Sequence, residues 1–208
     1  MKISKYLHSC LLIEDKDQTV LIDPSNFTAQ EKALDVTKLH QLDYILITHE
    51  HQDHCYPPLI KDMLKKFPKA IVISNESVAK LLKKESIPVT MMGTEQILLE
   101  EVAHERLWDT EVPQNTMFHL FGRLTHPGDS HHIQKTNDIL ALPLEAPWGS
   151  MRDAVNLALK LKPKFIIPIH DYLLKDTIRQ MMYQRLEAFF KEKNIIFKSL
   201  ETGKVITI

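Results

Sequence analysis

Short dense apolar runs and longer apolar stripes at helical spacing follow one another along the chain, and their order sets the expected architecture. Runs at 3–7, 10–14 and 19–22 are separated by polar turn residues and predict three consecutive strands. The last stops at Asp23-Pro24, where proline cannot continue a ladder. The run 44–47 predicts a buried strand. From Leu59, the positions Ile60, Met63, Leu64 and Phe67 recur at helical spacing behind Pro57 and Pro58, which suit a first helical turn. Residues 70–73 read as a strand, 78–82 as a short helix and 97–102 as another strand.

The second half repeats this order. Strands at 117–121 and 123–126 flank Gly122, a natural hairpin residue, and 139–144 is a further strand. Ser150 and Asp153 form an S-x-x-D capping box that opens a helix through Met151, Ala154, Val155, Ala158 and Leu161. The run 165–169 predicts a strand ending at His170-Asp171. A last helix is expected to bury Ile178, Met181, Met182, Leu186, Phe189 and Phe190 on one face, and 195–200 and 205–208 close the chain as strands. Two β-rich blocks that each lead into helix and strand suit an α/β fold of two sheets packed face to face with helices outside. The pattern alone leaves a doubly wound parallel sheet open.

Composition narrows the function classes. The 208 residues suit one domain, 1–208, long enough to bury a sizeable core, and no repeat, low-complexity tract or linker divides them. Lys+Arg 26 against Asp+Glu 27 leaves a net charge of -1, so no global positive field gathers nucleic acid and no such partner is expected. The opening MKISKYLHSCLLIED holds only a short apolar run that Glu14 and Asp15 interrupt. It reads as neither a signal peptide nor a membrane span, and a cytoplasmic protein without a membrane partner is the expectation. Cys10 and Cys55 cannot build a disulfide framework, and Cys55, although next to His54, reads as a buried inert thiol. Oligomeric state is left open.

The chemistry sits just after the strand 44–47, where residues 48–54 read Thr-His-Glu-His-Gln-Asp-His. His49, His51, Asp53 and His54 are four metal-ligating side chains within six positions. In extended backbone, residues two apart point the same way, so His49 and His51 can approach one metal from one side, while Asp53 and His54 address a second where the chain turns. A two-metal centre needs further ligands, expected where strands end. His104 follows 97–102, Asp129 lies in His126-Pro127-Gly128-Asp129-Ser130, and His170 follows 165–169. Singly, these read as a surface histidine, a turn residue and a cap; beside the first motif they read as ligands.

The ordered set Asp23, His49-x-His51-x-Asp53-His54, His104, Asp129 within Gly128-Asp129-Ser130, and His170 resembles the metallo-β-lactamase-fold hydrolase superfamily across nearly the whole chain. His8-Ser9, His126-Pro127-Gly128-Asp129, Ala146-Pro147-Trp148 and Pro168-Ile169-His170-Asp171 are similar to its compact bacterial branch, the ascorbate-6-phosphate lactonase-like proteins. The resemblance implies a four-layer αββα sandwich of two mixed sheets with the site along one edge. It also implies one metal held by His49, His51 and His104, a second by Asp53, His54 and His170, and Asp129 bridging both, with Asp23 bracing the ligand loop. Because all five histidines and both aspartates are present, the chain resembles the broader hydrolases of the superfamily and not its antibiotic-resistance enzymes.

Two divalent ions about 3.5–4 Å apart lower the pKa of a shared water from about 15.7 toward about 7, so that hydroxide can attack a carbonyl or phosphoryl centre. The mixed donor set suits Zn2+ first, with manganese, iron or nickel as alternatives. Asp53 and Asp129 are the candidate catalytic residues, and Asp53 or a neighbouring histidine can return a proton to the leaving group. His8 and His126 read as braces, and His131 and His132 as exposed loop residues. Trp148 and Trp108 are candidate apolar walls for a small-molecule substrate, with packing as the plainer role for each. The 105–115 loop is long enough for a flap, a fixed connection being the alternative. The expected activity is hydrolysis of a small ester, lactone or phosphoester. The competing readings are a metal-dependent nuclease, an iron-dependent redox protein on the same scaffold, and a non-catalytic metal-dependent sensor.

Overall fold

The computed structural model describes residues 1–109 and 111–208. The chain lays down β1 (Lys2–Lys5), β2 (Leu11–Asp15), β3 (Gln18–Ile22), β4 (Tyr44–Leu46) and β5 (Ile71–Ile73), with helices α1 (Asn26–Gln30), α2 (Pro57–Lys66) and α3 (Glu76–Lys83) between and after them. It then builds a second sheet from β6 (Ile97–Val102), β7 (Asn115–Leu120), β8 (Leu124–His126), β9 (Ile139–Pro143), β10 (Phe165–Ile169) and β11 (Ile196–Phe197), around helices α4 (Met151–Leu161) and α5 (Asp176–Lys191). The final strand, β12 (Val205–Thr207), returns to the first sheet beside β1. The strand orders are β12-β1-β2-β3-β4-β5 and β11-β10-β9-β8-β7-β6, so each sheet is mixed and the doubly wound alternative does not hold.

Alternation along the strands explains why the two sheets stack. Ile3, Leu11, Ile13, Val20 and Ile22 of the first sheet meet Phe118, Leu120, Leu124, Ile139, Ala141, Ile167 and Ile169 of the second in one core. The intervening residues face outward under helices. Leu12, Leu21 and Ile45 pack with Leu59, Ile60 and Met63 of α2 and with Val78 and Leu82 of α3. Leu140, Leu142 and Ile166 pack with Ala154, Leu157 and Ala158 of α4 and with Tyr183, Leu186 and Phe190 of α5. Strands buried on both faces read as continuous apolar runs, which is why their period is weak in the sequence. The layers are helix, sheet, sheet, helix, as the resemblance implied.

Local signals hold at several places. Pro57 and Pro58 sit in the first turn of α2, and Ser150 and Asp153 form both halves of the capping box of α4. Phe121 and Gly122 both take positive φ in the turn closed by Arg123 N–H donating to the Leu120 carbonyl. Other expectations need correction. The 195–200 and 205–208 runs shorten to β11 and β12. The buried face of α5 is Met182, Tyr183, Leu186 and Phe190, with Phe189 partly buried, whereas Ile178 and Met181 are exposed. The helix is rotated because Tyr183 turns inward, its hydroxyl donating to buried Asp171. Among the described residues no helix is long and apolar enough to cross a membrane.

Direction of travel places the site. β3, β4 and β5 are parallel, β8, β9 and β10 are parallel, and two antiparallel steps make β1 run with β3 and β6 run with β8. The C-terminal ends of all these strands therefore lie at one edge. From them emerge His8, Asp23, residues 49–54, His104, Asp129, Trp148 and His170.

Candidate metal centre

The ligand atoms of His49, His51 and His104 lie within 4.8 Å of one another, as do those of His8, Asp53, His54 and His170, and those of His49, His54 and Asp129. Asp129 stands between the first two groups. Its Oδ1 is 3.0 Å from His54 Nε2, and its Oδ2 is 3.2 Å from His170 Nε2 and 3.8 Å from both His49 Nε2 and His104 Nε2. His49, His54, His104, Asp129 and His170 are buried, Asp53 is half-buried and His51 is exposed, which makes His51 and Asp53 the open lip.

The imidazoles of His49, His54, His104 and His170 are each fixed from behind through Nδ1. His54 Nδ1 donates to Asp23 Oδ2 at 2.7 Å, His104 Nδ1 to the Glu105 carbonyl at 2.5 Å, and His170 Nδ1 to the Glu145 carbonyl at 2.9 Å. The Thr48 hydroxyl gives its proton to Asp23 Oδ2, so at 3.1 Å it accepts from His49 Nδ1. These contacts leave the Nε2 lone pairs facing inward. No hydrogen bond of good geometry reaches His54 Nε2, His104 Nε2, His170 Nε2 or Asp129 Oδ1 among the described residues, although His54 and His170 stand within ion-pair distance of Asp129. A native interior rarely tolerates four such orphans, and four gathered at one edge of the sheets suit bound cations. The residues therefore fit the metal ions that the donor set calls for.

Charge points the same way. Burial opposes ionisation of Asp129, yet His170, His54 and His49 hold its carboxyl well below the usual range; burial likewise opposes ionisation of Asp53, and His54 and His8 hold it low. Burial also opposes protonation of His54 and His170, but Asp129 beside them raises both, with Asp23 adding to the effect on His54. Buried carboxylates thus keep their charge and draw positive charge to this point. Burial, with His54 beside it, pushes His49 low, and burial alone is the leading cause for His104.

The surrounding residues act as braces. Asp23, at positive φ, accepts from Thr48 N–H, the Thr48 hydroxyl and His54. His8 is fully buried with Nε2 3.2 Å from Asp53 Oδ2, and burial together with His170 lowers it to about 4, so its neutral ring orients Asp53. His126 Nε2 donates to the Ser9 carbonyl while Gly128 N–H donates to His126 Nδ1, tying the turn that carries Asp129 to the loop after β1.

Three expectations change here. His131 is half-buried and donates through Nε2 to the Pro143 carbonyl, so of the His131-His132 pair only His132 is exposed. Trp148 is more than an apolar wall, because its indole N–H donates to Asp129 Oδ2 at 3.2 Å. Trp108 is 64% exposed and does not pack, and the 105–115 loop that carries it includes Thr110, which lies outside the described residues. Cys55 is buried as expected, and burial pushes its thiol up to about 12.

Reading the sequence missed three other braces. Asn115 is buried, donates to the Pro127 carbonyl and accepts from Asp129 N–H. Thr48, directly before the motif, was the one with a readable position. Lys5 forms a buried pair with Asp171 at 2.6 Å and donates to the Pro168 carbonyl, holding the backbone around His170, which itself takes positive φ.

The family model described as the beta-lactamase superfamily domain matches residues 2–170. A UPF0173 metal-dependent hydrolase of Flavobacterium johnsoniae is 34% identical over 180 residues, covering 84% of this chain and 78% of that one. Another, of Thermus thermophilus, is 27% identical over 230 residues and covers 98% of each chain. The solved structure of Igni18, a metallo hydrolase from Ignicoccus hospitalis, superposes with a TM-score of 0.71 at 19% identity over 100% of this chain and 97% of that one.

Proposed function

The chain belongs to the β-lactamase superfamily domain family, and from that premise we propose that it is a metal-dependent hydrolase whose two-ion centre cleaves a small ester, lactone or phosphoester. The observation that carries this reading is the gathering of buried Nε2 atoms of His54, His104 and His170 around Asp129, without hydrogen bonds of good geometry, at the common edge of the two sheets. His49, His51 and His104 would hold one ion and Asp53, His54 and His170 the other, with Asp129 reaching both; zinc suits the donors best. When bound, such ions activate water as a nucleophile and polarise the substrate's carbonyl or phosphoryl oxygen.

The remaining work falls to the chain itself. Beside exposed His51 an open cleft of ≈ 790 Å³ is lined by Glu50, Gln52, Ser77, Leu81, Val112 and Pro113, large enough for a small molecule. The same cleft sets Glu50 and Glu76 against Lys80 and Lys84, a balance that offers little to a polyanion and counts against a nuclease. Asp53, half-exposed and oriented by His8, is placed to pass a proton between the lip and the leaving group.

The test compares protein stripped of metal with protein reloaded with zinc, against a panel of esters, lactones and phosphodiesters. Hydrolysis is expected only after reloading and is expected to vanish in His49→Ala and Asp129→Ala. Full activity in the stripped protein would overturn the proposal, and a fully loaded protein silent on every substrate would favour the sensor.

A further inference from the structure

The loop after β9 reaches the centre twice. Its second residue, Glu145, accepts from His170 Nδ1 through its carbonyl. Four residues, Ala146 to Gly149, then close a tight turn by two reciprocal backbone bonds of 3.1 Å, Ala146 N–H to the Gly149 carbonyl and Gly149 N–H to the Ala146 carbonyl. Pro147 occupies the second position of this turn, where its fixed φ stiffens the loop. Trp148 is thereby presented inward. Its ring stands edge-on to His170 at 5.2 Å and to His131 at 5.4 Å, and its N–H meets Asp129 Oδ2. His131 is itself anchored on the Pro143 carbonyl, so the indole is held from both sides.

We infer that Trp148 is a positioning residue of the centre: its indole N–H fixes the rotation of the Asp129 carboxylate so that both oxygens can serve the two groups of histidines. Indole nitrogen is a donor only, so it supports a carboxylate without competing for a cation. The same rigid turn that sets Trp148 on Asp129 also sets the Glu145 carbonyl on His170, which couples the shared carboxylate to one ligand of the second group. This inference rests on the proposed metal centre, and it assigns Trp148 to the centre's geometry, a role that an apolar wall for substrate would not fill.

The experiment removes the donor and keeps the ring. Full-length protein carrying Trp108→Phe, so that position 148 is the sole indole, is prepared in three forms: unchanged at 148, with Trp148→Phe, and with benzothienylalanine at 148, which replaces the N–H by sulfur at nearly constant shape. Each is titrated with Co2+ against a chromophoric chelator, and the visible ligand-field spectrum is recorded. Both donor-less forms are expected to bind cobalt about 10–100-fold more weakly with an altered spectrum, the range found when partners of metal ligands are lost. Should Trp148→Phe misfold, the benzothienylalanine form decides. Affinity within twofold of the indole form and an unchanged spectrum would overturn the inference while leaving the metal centre intact. A parent protein that binds no cobalt would overturn both.

Discussion

Asp23 Oδ2 lies 2.7 Å from His54 Nδ1, and both side chains are wholly buried. The same carboxylate also accepts from the Thr48 N–H and hydroxyl, so one residue sets the first and last histidines of the motif, His49 by way of Thr48 and His54 directly. Asp23→Ala is therefore expected to weaken zinc binding about 10–100-fold, as chelator competition would show. It also leaves Thr48 N–H without its acceptor, at a cost of about 1–3 kcal/mol read from urea unfolding of the metal-free protein. Unchanged affinity would remove Asp23 from the account.

Gly128 carries the turn before Asp129 at φ +61, and a Cβ there would stand 2.1 Å from Asn115 Oδ1 and 2.8 Å from Thr48 Cβ. Both obstacles belong to braces of the site. Gly128→Ala is expected to destabilise the fold by more than the ~1–3 kcal/mol of backbone strain alone, and to lower metal affinity as Asn115 is pushed off the Asp129 N–H. Calorimetry of the metal-free variant and zinc titration check the two effects separately.

The pH dependence of folding has a readable sign at His119, which lies on β7 away from the centre. Burial holds its imidazole below the usual range, with nearby Glu100 opposing. The folded state binds fewer protons there than the unfolded chain, so this contribution is fully present above about pH 6.5 and is lost as pH falls below it. Between pH 7.5 and 5.5, His119→Gln is expected to lose less urea stability than the parent. An equal loss would contradict the assignment.

Both thiols are buried, and burial pushes Cys10 and Cys55 up to about 12. A thiol reagent at pH 8 is expected to label neither in the native protein and both in denaturant. Rapid native labelling of Cys55 would show that the motif loop opens.

The candidate centre was legible because four of its candidate ligands sit in one short segment after an apolar run, and because three more follow runs of the same kind. What joins them is long-range, and most of it was not. Trp148 and Asp129 are 19 residues apart and Asn115 and Asp129 are 14 apart, contacts that only the register of β7, β8 and β9 brings about. Strain was hidden as well. Asp23, His8 and His170 take positive φ without being glycine, so the residue type that normally announces such backbone is absent. Helix α1 has five residues, too few for a period, although Ser25 caps it. On α5 the apolar stripe named Ile178 and Met181, but the inward turn of Tyr183 toward Asp171 chose a neighbouring face.

The proposed centre takes two ions. Elemental analysis of the full chain, saturated with zinc and then desalted, measures it directly. About two zinc ions per chain are expected, in keeping with two groups of candidate ligands on either side of Asp129. A saturated protein that retains less than one would contradict the account.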